Sequence, residues 1–137
     1  MVKEIVKDRA FLKLPSEPAD KSDRQTVTDL CDTLEANKAR CVGMAANMIG
    51  VRKRILAAYL SGKLVVMINP VITGRSGEPA EETESCLSLI GSSKALRYPI
   101  ISVEYLDRSF KRKRAIYRGF DAQIIQHETD HFEGILI

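Results

Sequence analysis

The stretch His127-Glu128-Thr129-Asp130-His131 contains both histidines of the 137-residue chain. On an α-helix, residues four positions apart lie on the same face, one turn above the other. Two imidazoles at that spacing can bind one metal ion, and the carboxylate beside the first can hold a water on that metal. The H-E-x-x-H pattern is typical of metalloproteases. It does not define the reaction by itself, and two surface histidines on a polar helix would also produce it.

The surrounding sequence predicts that this stretch lies on a C-terminal helix that begins near Asp121 and ends at Gly134. Apolar and metal-binding side chains recur there at helical spacing and share one face. That face contains Phe120, Ile124, His127, Glu128 and His131. Because the histidines share a face with the apolar residues, the pattern indicates an inward-facing site rather than a surface pair.

A catalytic site of the zinc type needs a third protein ligand and an open position for water. The candidates are Cys86, Cys41, Glu84 and several other carboxylates. Cys86 is favoured because it is an isolated thiol in a short segment between predicted strands, and a thiolate binds zinc or ferrous iron strongly. A buried free cysteine without a metal would show the same sequence pattern.

The first half of the chain predicts one N-terminal helix. Ser22 and Gln25 fit a capping box, and apolar residues then recur at helical spacing to about Lys38. Cys31 belongs to this apolar stripe and is interpreted as a core residue. The stripe contains Val27, Leu30, Cys31 and Leu34. Residues 1–23 are predicted to be irregular.

Strands are predicted in the middle of the chain from apolar runs and from alternation. The tight turn Ser61-Gly62 joins the first two, and Asn69-Pro70 is expected to end the second. Residues 73–79 are expected to form a loop, and residues 107–109 a turn. The predicted strands are residues 55–60, 64–68, 101–106 and 110–117.

The composition, with 45% hydrophobic and 28% charged residues, is that of an ordinary globular protein, and residues 1–137 are expected to form one domain. A net charge of +3 is too small to indicate nucleic acid binding. The run Lys111-Arg112-Lys113-Arg114 is interpreted as a solvated strand edge rather than a binding patch.

No apolar run of about 18 residues exists, so no membrane span is expected. Three cysteines without paired spacing favour a reducing cytoplasm over a disulfide framework.

Three ordered motifs resemble those of the peptide deformylases. The stretches Gly43-Met44-Ala45-Ala46-x-x-Ile49-Gly50, Glu84-Ser85-Cys86-Leu87-Ser88 and Gln126-His127-Glu128-Thr129-Asp130-His131 are similar to the family patterns G-x-G-x-A-A-x-Q-x-G, E-G-C-L-S and Q-H-E-x-D-H. With the predicted elements, the resemblance implies an α+β fold. Small antiparallel or mixed β-sheets would pack around a central C-terminal HExxH helix, with one N-terminal helix.

The resemblance implies a hydrolase that removes the formyl group from the N-terminal methionine of newly made proteins. One Fe2+ per chain, or Zn2+ or Ni2+, would be held by Cys86, His127 and His131. Glu128 would be the general acid/base, and the backbone N–H of Leu87 would stabilise the developing oxyanion. The implied partner is the formylated N-terminus of a nascent polypeptide at the ribosome. No membrane or sequence-specific nucleic acid partner is expected, and the protein is expected to be a monomer.

The resemblance also assigns residues around the reacting group. Asp130 or Gln126 would orient the metal ligands. The methionine side chain of the substrate would lie near Val42, Gly43, Phe120, Gln123 and Ile124. Gln123 is polar where relatives are usually apolar. Two outcomes are therefore open: the pocket accepts a side chain other than methionine, or the side chain of Gln123 points out of the pocket into solvent.

The chain departs from the family pattern at three positions. Met48 replaces a glutamine whose amide donates to the oxyanion, and a thioether has no N–H. Loss of one such donor typically costs about 100- to 1000-fold in rate, unless a local slip brings the neighbouring Asn47 into its place. Cys41 replaces a glycine where substrate backbone would lie. Ser85 replaces a glycine before the ligand cysteine, at a cost if that backbone needs a positive φ.

Three alternative functions remain open from the sequence. The departures at Met48, Cys41 and Ser85 are compatible with a weakened relative that acts on another acyl amide or only binds a ligand. A general HExxH metalloprotease is a second alternative, although the chain is short for an enzyme with an extended cleft. A structural metal module is a third, but a closed structural site has no use for an unligated carboxylate such as Glu128.

Overall fold

The computed structural model describes all residues from 1 to 137 and has the α+β architecture that the sequence predicted. Two helices come first, seven strands follow, and a third helix comes last. The helices are α1 (Arg9–Leu12), α2 (Arg24–Ala36) and α3 (Gly119–Phe132). The strands are β1 (Gly43–Ala45), β2 (Ile55–Leu60), β3 (Lys63–Ser76), β4 (Ala80–Glu84), β5 (Ser93–Arg97), β6 (Ile100–Leu106) and β7 (Arg112–Arg118).

Five strands form one antiparallel sheet in the order β1-β2-β3-β6-β7, and β4 and β5 form a separate two-stranded sheet. The predicted strand pairs and the Ser61-Gly62 turn are present, and both turn residues have positive φ. The basic run Lys111–Arg114 lies at the start of β7, an edge strand, as predicted. No helix in the structure is both long and apolar enough to cross a membrane.

The prediction that Asn69-Pro70 ends the second strand is wrong, because β3 continues to Ser76. The register with β6 shifts between Ile68 and Val71, and Asn69 adopts a φ of 51°. This bulge removes the proline from the hydrogen-bonded ladder, so that the strand can resume beyond it. The expected loop at residues 73–79 is therefore confined to 77–79.

The two-stranded sheet β4–β5 was not predicted from the sequence. Strand β4 has the sequence Ala-Glu-Glu-Thr-Glu, and glutamate and alanine have a low intrinsic preference for strands. Its stability comes from pairing with β5 over five residue pairs, from Ala80↔Arg97 to Glu84↔Ser93. This hairpin determines the position of the functional site, because Glu84 ends β4 and Cys86 follows two residues later.

The helix boundaries differ from the predicted ones by a few residues. Helix α2 begins at Arg24 and ends at Ala36, and the capping box is formed by Asp20 and Asp23 in a preceding 3₁₀ turn rather than by Ser22 and Gln25. Residues 1–23, predicted to be irregular, also contain α1. Helix α3 begins at Gly119, two residues earlier than expected.

The core lies on both faces of the five-stranded sheet. Ile55 and Ala57 of β2 pack on the side of α2, whereas Leu56 and Ala58 pack on the side of α3. Strand β2 is buried on both faces and therefore appears in the sequence as a continuous apolar run. Cys31 is buried in the cluster around α2, which confirms its predicted core role.

Replacing Leu34 with alanine should lower the free energy of unfolding by about 2–5 kcal/mol. Leu34 is fully buried between α2 and the sheet, so its loss removes packed surface and leaves a cavity. Urea unfolding of the two proteins measures the difference. The matched control is Leu96→Ala, which removes a 66% exposed side chain and should change stability by less than about 0.5 kcal/mol. Equal losses in both variants would contradict this placement of the core.

Candidate metal centre

Helix α3 and the segment after β4 bring one thiol and two imidazoles together. His127 and His131 lie one turn apart on α3, as the sequence predicted, and Cys86 faces them from the neighbouring segment. One ligand atom from each of the three residues lies within 4.8 Å of the others. The structure thus brings together the three residues that the sequence suggested as metal ligands.

The hydrogen bonds of the two imidazoles determine where their protons are. His127 Nδ1 lies 2.8 Å from Glu84 Oε1, and His131 Nδ1 lies 3.2 Å from the carbonyl oxygen of Ile135. A carboxylate and a carbonyl only accept, so each Nδ1 carries a proton, and the Nε2 of each ring is the atom left to bind a metal. The two Nε2 atoms are 3.0 Å apart. Two ring nitrogens this close together, with the Cys86 ligand atom within 4.8 Å, form a donor set that fits one divalent metal ion.

Glu84 connects His127 to a buried network of charges. Arg97 on β5 donates to Glu84 Oε1 at 2.6 Å and to Oε2 at 2.8 Å, and its remaining nitrogen donates to Asp130 Oδ2 at 2.6 Å. Burial would raise the pKa of Glu84, but the hydrogen bonds from Arg97, His127 and Gln123 outweigh it and hold the pKa at about 2. Glu84 is therefore a carboxylate that fixes the ring of His127.

The sequence assigned this orienting role to Asp130 or Gln126, and that assignment is wrong. Asp130 contacts Arg97, and the amide of Gln126 both donates to and accepts from the backbone of Tyr98. The sequence suggests Glu84 only as a candidate third ligand and indicates no role for Arg97. Both residues take their positions from the unpredicted β4–β5 hairpin. The only signal in the sequence for Arg97 is a cation in the short segment Ser93–Arg97, which also contains Lys94.

Replacing Glu84 with glutamine should weaken metal binding about 10- to 100-fold, because partners of metal-binding histidines contribute to affinity by that amount. The variant keeps the shape of the side chain. It loses the negative charge that orients His127 and forms the ion pair with Arg97. Competition with a chelator measures the affinity. Glu81→Gln is the matched control, since Glu81 lies on the same strand and only pairs with Lys94 at the surface. Unchanged affinity in Glu84→Gln would contradict the orienting role.

Glu128 is a buried carboxylate beside the three candidate ligands. It is 4% exposed, its Oε1 has no hydrogen-bond partner within the protein, and burial raises its pKa to about 7. Gly43 faces it, and a Cβ added at Gly43 would lie 3.0 Å from Glu128 Oε2 and 2.8 Å from the Ile124 side chain. A glycine at position 43 thus leaves room for the carboxylate.

These groups open into a cavity of about 410 Å³. Its walls include Cys86, Leu87, His127 and Glu128. They also include all five residues predicted to contact the substrate, which are Val42, Gly43, Phe120, Gln123 and Ile124. Phe120 was expected on the buried face of α3, but it is 60% exposed because the first turn of the helix lies at the cavity rim. The amide of Gln123 is turned neither to solvent nor to a ligand, since Nε2 donates to Glu84 Oε2 at 3.0 Å.

The three departures from the family pattern have different structural consequences. Met48 is buried in the cavity wall with its Sδ 3.9 Å from Cys86 Sγ, so no N–H donor occupies that position. Asn47 cannot take over, because it is fully buried and its amide donates to the carbonyl of His131 at 3.2 Å. Ser85 lies outside the positive-φ region and carries no strain there.

Cys41, the third departure, lies in the cavity wall as a neutral thiol. Its Sγ donates to the carbonyl oxygen of Gly43 at 2.8 Å. Burial, together with the nearby carboxylate of Glu128, raises its pKa to about 12. The cluster of candidate ligand atoms contains Cys86 and not Cys41, which favours Cys86 as the third ligand.

Two histidines one helical turn apart, a nearby thiol, a buried carboxylate without a partner on Oε1 and an open cavity are the features of a metal-dependent hydrolase. A profile of the polypeptide deformylase family matches residues 2–137. The peptide deformylase of Clostridium beijerinckii is 57% identical over the full length of both chains. That of Pelotomaculum thermopropionicum is 39% identical over 82% of this chain and 74% of its own. The chain belongs to the polypeptide deformylase family.

Solved structures agree with this assignment. The actinonin-bound class I type b peptide deformylase of Acinetobacter baumannii matches with a TM-score of 0.88 at 29% identity, over 99% of this chain and 95% of its own. The peptide deformylase of Ehrlichia chaffeensis matches with a TM-score of 0.89 at 33% identity, over 99% and 86%. The protein is thus a metal-dependent hydrolase that removes the N-terminal formyl group from nascent proteins. This excludes the general metalloprotease and the structural metal module.

Proposed function

We propose that Cys86, His127 and His131 hold one ferrous ion per chain, with Zn2+ or Ni2+ as alternatives, and that Glu128 is the general acid/base of deformylation. The observation that carries this proposal is the pair of Nε2 atoms that face each other at 3.0 Å, with the ligand atom of Cys86 within 4.8 Å. One thiolate and two imidazoles suit each of these metals, and three protein ligands leave a position open for water.

The bound metal would supply a Lewis acid that lowers the pKa of water and polarises the formyl oxygen. Glu128 accepts the proton of the attacking water as the water oxygen bonds to the formyl carbon. The same carboxyl then delivers this proton to the amide nitrogen as the C–N bond breaks, so that formate and a free amine are released. A pKa of about 7, raised by burial, allows Glu128 to accept and donate a proton near neutral pH.

The cavity walls supply binding for the rest of the substrate. The methionine side chain is proposed to lie against the apolar surfaces in this wall. These are provided by Val42, Gly43, Phe120 and Ile124, with Gln123 at their edge. The backbone N–H of Leu87 takes part in no backbone hydrogen bond, whereas that of Leu89 donates to the carbonyl of Cys86. Leu87 is therefore available to donate to the oxyanion.

We also propose that residues 1–137 form a single domain that acts as a monomer in the cytoplasm, on formylated N-termini emerging from the ribosome. All three cysteines are free, which is typical of a reducing compartment. The substrate is made on ribosomes, so a formylated N-terminus is first accessible as the chain emerges from the ribosome. No sequence-specific contact with nucleic acid is part of this proposal.

The proposed ligand set is tested by loading the protein with ferrous iron under anaerobic conditions, counting the bound metal and measuring formate release from formyl-Met-Ala-Ser. The wild-type protein should bind one ion per chain and release formate. Cys86→Ala should lose both the metal and the activity, whereas Cys31→Ala, which removes a thiol from the core beside α2, should keep both. Full metal retention in Cys86→Ala would overturn the assignment.

A further inference from the structure

Two cationic side chains lie at the mouth of the cavity. Lys38 and Arg40 are in the segment that follows α2, and both line the cavity next to Cys41 and Val42. The segment is tied to the end of the helix, because Arg40 donates through its backbone N–H to the carbonyl of Asn37 at 2.9 Å and through Nη2 to Asn37 Oδ1 at 2.8 Å. The guanidinium of Arg40 is thus held at the cavity rim.

No carboxylate of the protein neutralises these two charges. Neither Lys38 nor Arg40 forms an ion pair, and the nearest acidic residue along the chain, Glu35, pairs with neither of them. The two carboxylates of the cavity, Glu84 and Glu128, are buried in its inner wall. The mouth therefore presents net positive charge to whatever passes through it.

A polypeptide whose formylated methionine occupies the cavity must leave through this mouth. An extended chain advances by about 3.3–3.5 Å per residue, so the second and third residues lie within about 10 Å of the methionine. We propose that Lys38 and Arg40 form a subsite for an acidic side chain at the second or third position of the substrate. This proposal rests on the proposed placement of the substrate in the cavity.

The size of the effect follows from the exposure of the two cations. Both side chains are exposed, so water screens their attraction to a substrate carboxylate. Each cation therefore contributes only modestly to the binding free energy. Together they should give aspartate an advantage over lysine of about 3- to 10-fold in kcat/KM. The advantage should disappear in about 1 M salt, where the screening length falls to about 3 Å.

The test compares kcat/KM for formyl-Met-Asp-Ser, formyl-Met-Ala-Asp and their lysine counterparts with the iron-loaded enzyme at low and high salt. The wild-type protein should prefer the aspartate peptides at low salt only. The double variant Lys38→Gln/Arg40→Gln should lose this preference. Lys94→Gln, which removes a surface cation on β5 outside the cavity, should keep both the preference and the activity.

Two results would overturn the subsite: no preference in the wild-type protein, or a preference that survives in the double variant. Calorimetric binding of the products Met-Asp-Ser and Met-Lys-Ser provides a readout that does not depend on turnover. Turnover of formyl-Met-Ala-Ser tests the catalytic site separately, so failure of the subsite and failure of the proposed catalytic residues give different results.

Discussion

Replacing Glu128 with glutamine should lower kcat for formyl-Met-Ala-Ser by about 100- to 10,000-fold, the usual contribution of a general acid/base, while one metal ion stays bound. Glutamine has nearly the same size and fills the space opposite Gly43 equally well. It cannot take a proton from water or return one to the amide nitrogen. Because Glu128 is not one of the three proposed ligands, metal content should not change.

The measurement is formate release by the iron-loaded variant, together with elemental analysis of the same sample. Glu133→Gln provides the control, because Glu133 is an exposed carboxylate just after α3 whose only partner is Arg54 at 2.8 Å. That variant should have wild-type activity. A fall of less than tenfold for Glu128→Gln, with the metal retained, would be incompatible with proton transfer by Glu128.

The parts of the site that could be predicted from the sequence are those determined by local geometry. His127, Glu128 and His131 share one helical face because of their spacing alone, and the structure shows all three buried on that face. The apolar stripe of α2 and the alternation of β6 are local signals of the same kind. The chemistry of a free thiol favours Cys86 as a ligand, and the structure places it within reach of both histidines.

The parts that could not be predicted depend on pairing between distant segments. Glu84 reaches His127 because β4 pairs with β5, and the glutamate-rich sequence of β4 does not indicate a strand. Arg97 donates hydrogen bonds to Glu84 within that hairpin and to Asp130 on α3. No local pattern specifies these contacts, since each is formed only once the hairpin has packed against the helix.

The bulge at Asn69 is a further case in which tertiary contacts outweigh a local signal. Asn-Pro is a strong turn signal, and it led to the wrong end for the second strand. In the structure, the side chain of Asn69 accepts from the backbone N–H of Ala19 at 2.8 Å and donates to its carbonyl at 2.9 Å. Both hydrogen-bonding groups of the Asn69 side chain are thus paired with the backbone of Ala19. These bonds hold Asn69 at positive φ while the strand continues beyond it.

Replacing Met48 with glutamine should raise kcat by about 100-fold, the lower end of the effect of one oxyanion donor. The Sδ of Met48 lies 3.9 Å from Cys86 Sγ, so an amide at this position would be adjacent to the proposed metal and to the N–H of Leu87. A new N–H there would bind the developing oxyanion more strongly than the planar formyl group. The gain should therefore appear in kcat, with KM little changed.

The matched control is Met48→Leu, which has a similar volume and no donor and should turn over within a few-fold of the wild-type protein. Met48 is only 1% exposed, and an amide buried without a partner costs about 1–3 kcal/mol, so thermal unfolding must show that both variants remain folded. If the Met48→Gln variant is folded and loaded with metal but is no faster than Met48→Leu, the missing donor does not limit the rate of this enzyme. In that case the N–H of Leu87 and the metal suffice to stabilise the oxyanion, and the methionine is a packing residue beside Cys86.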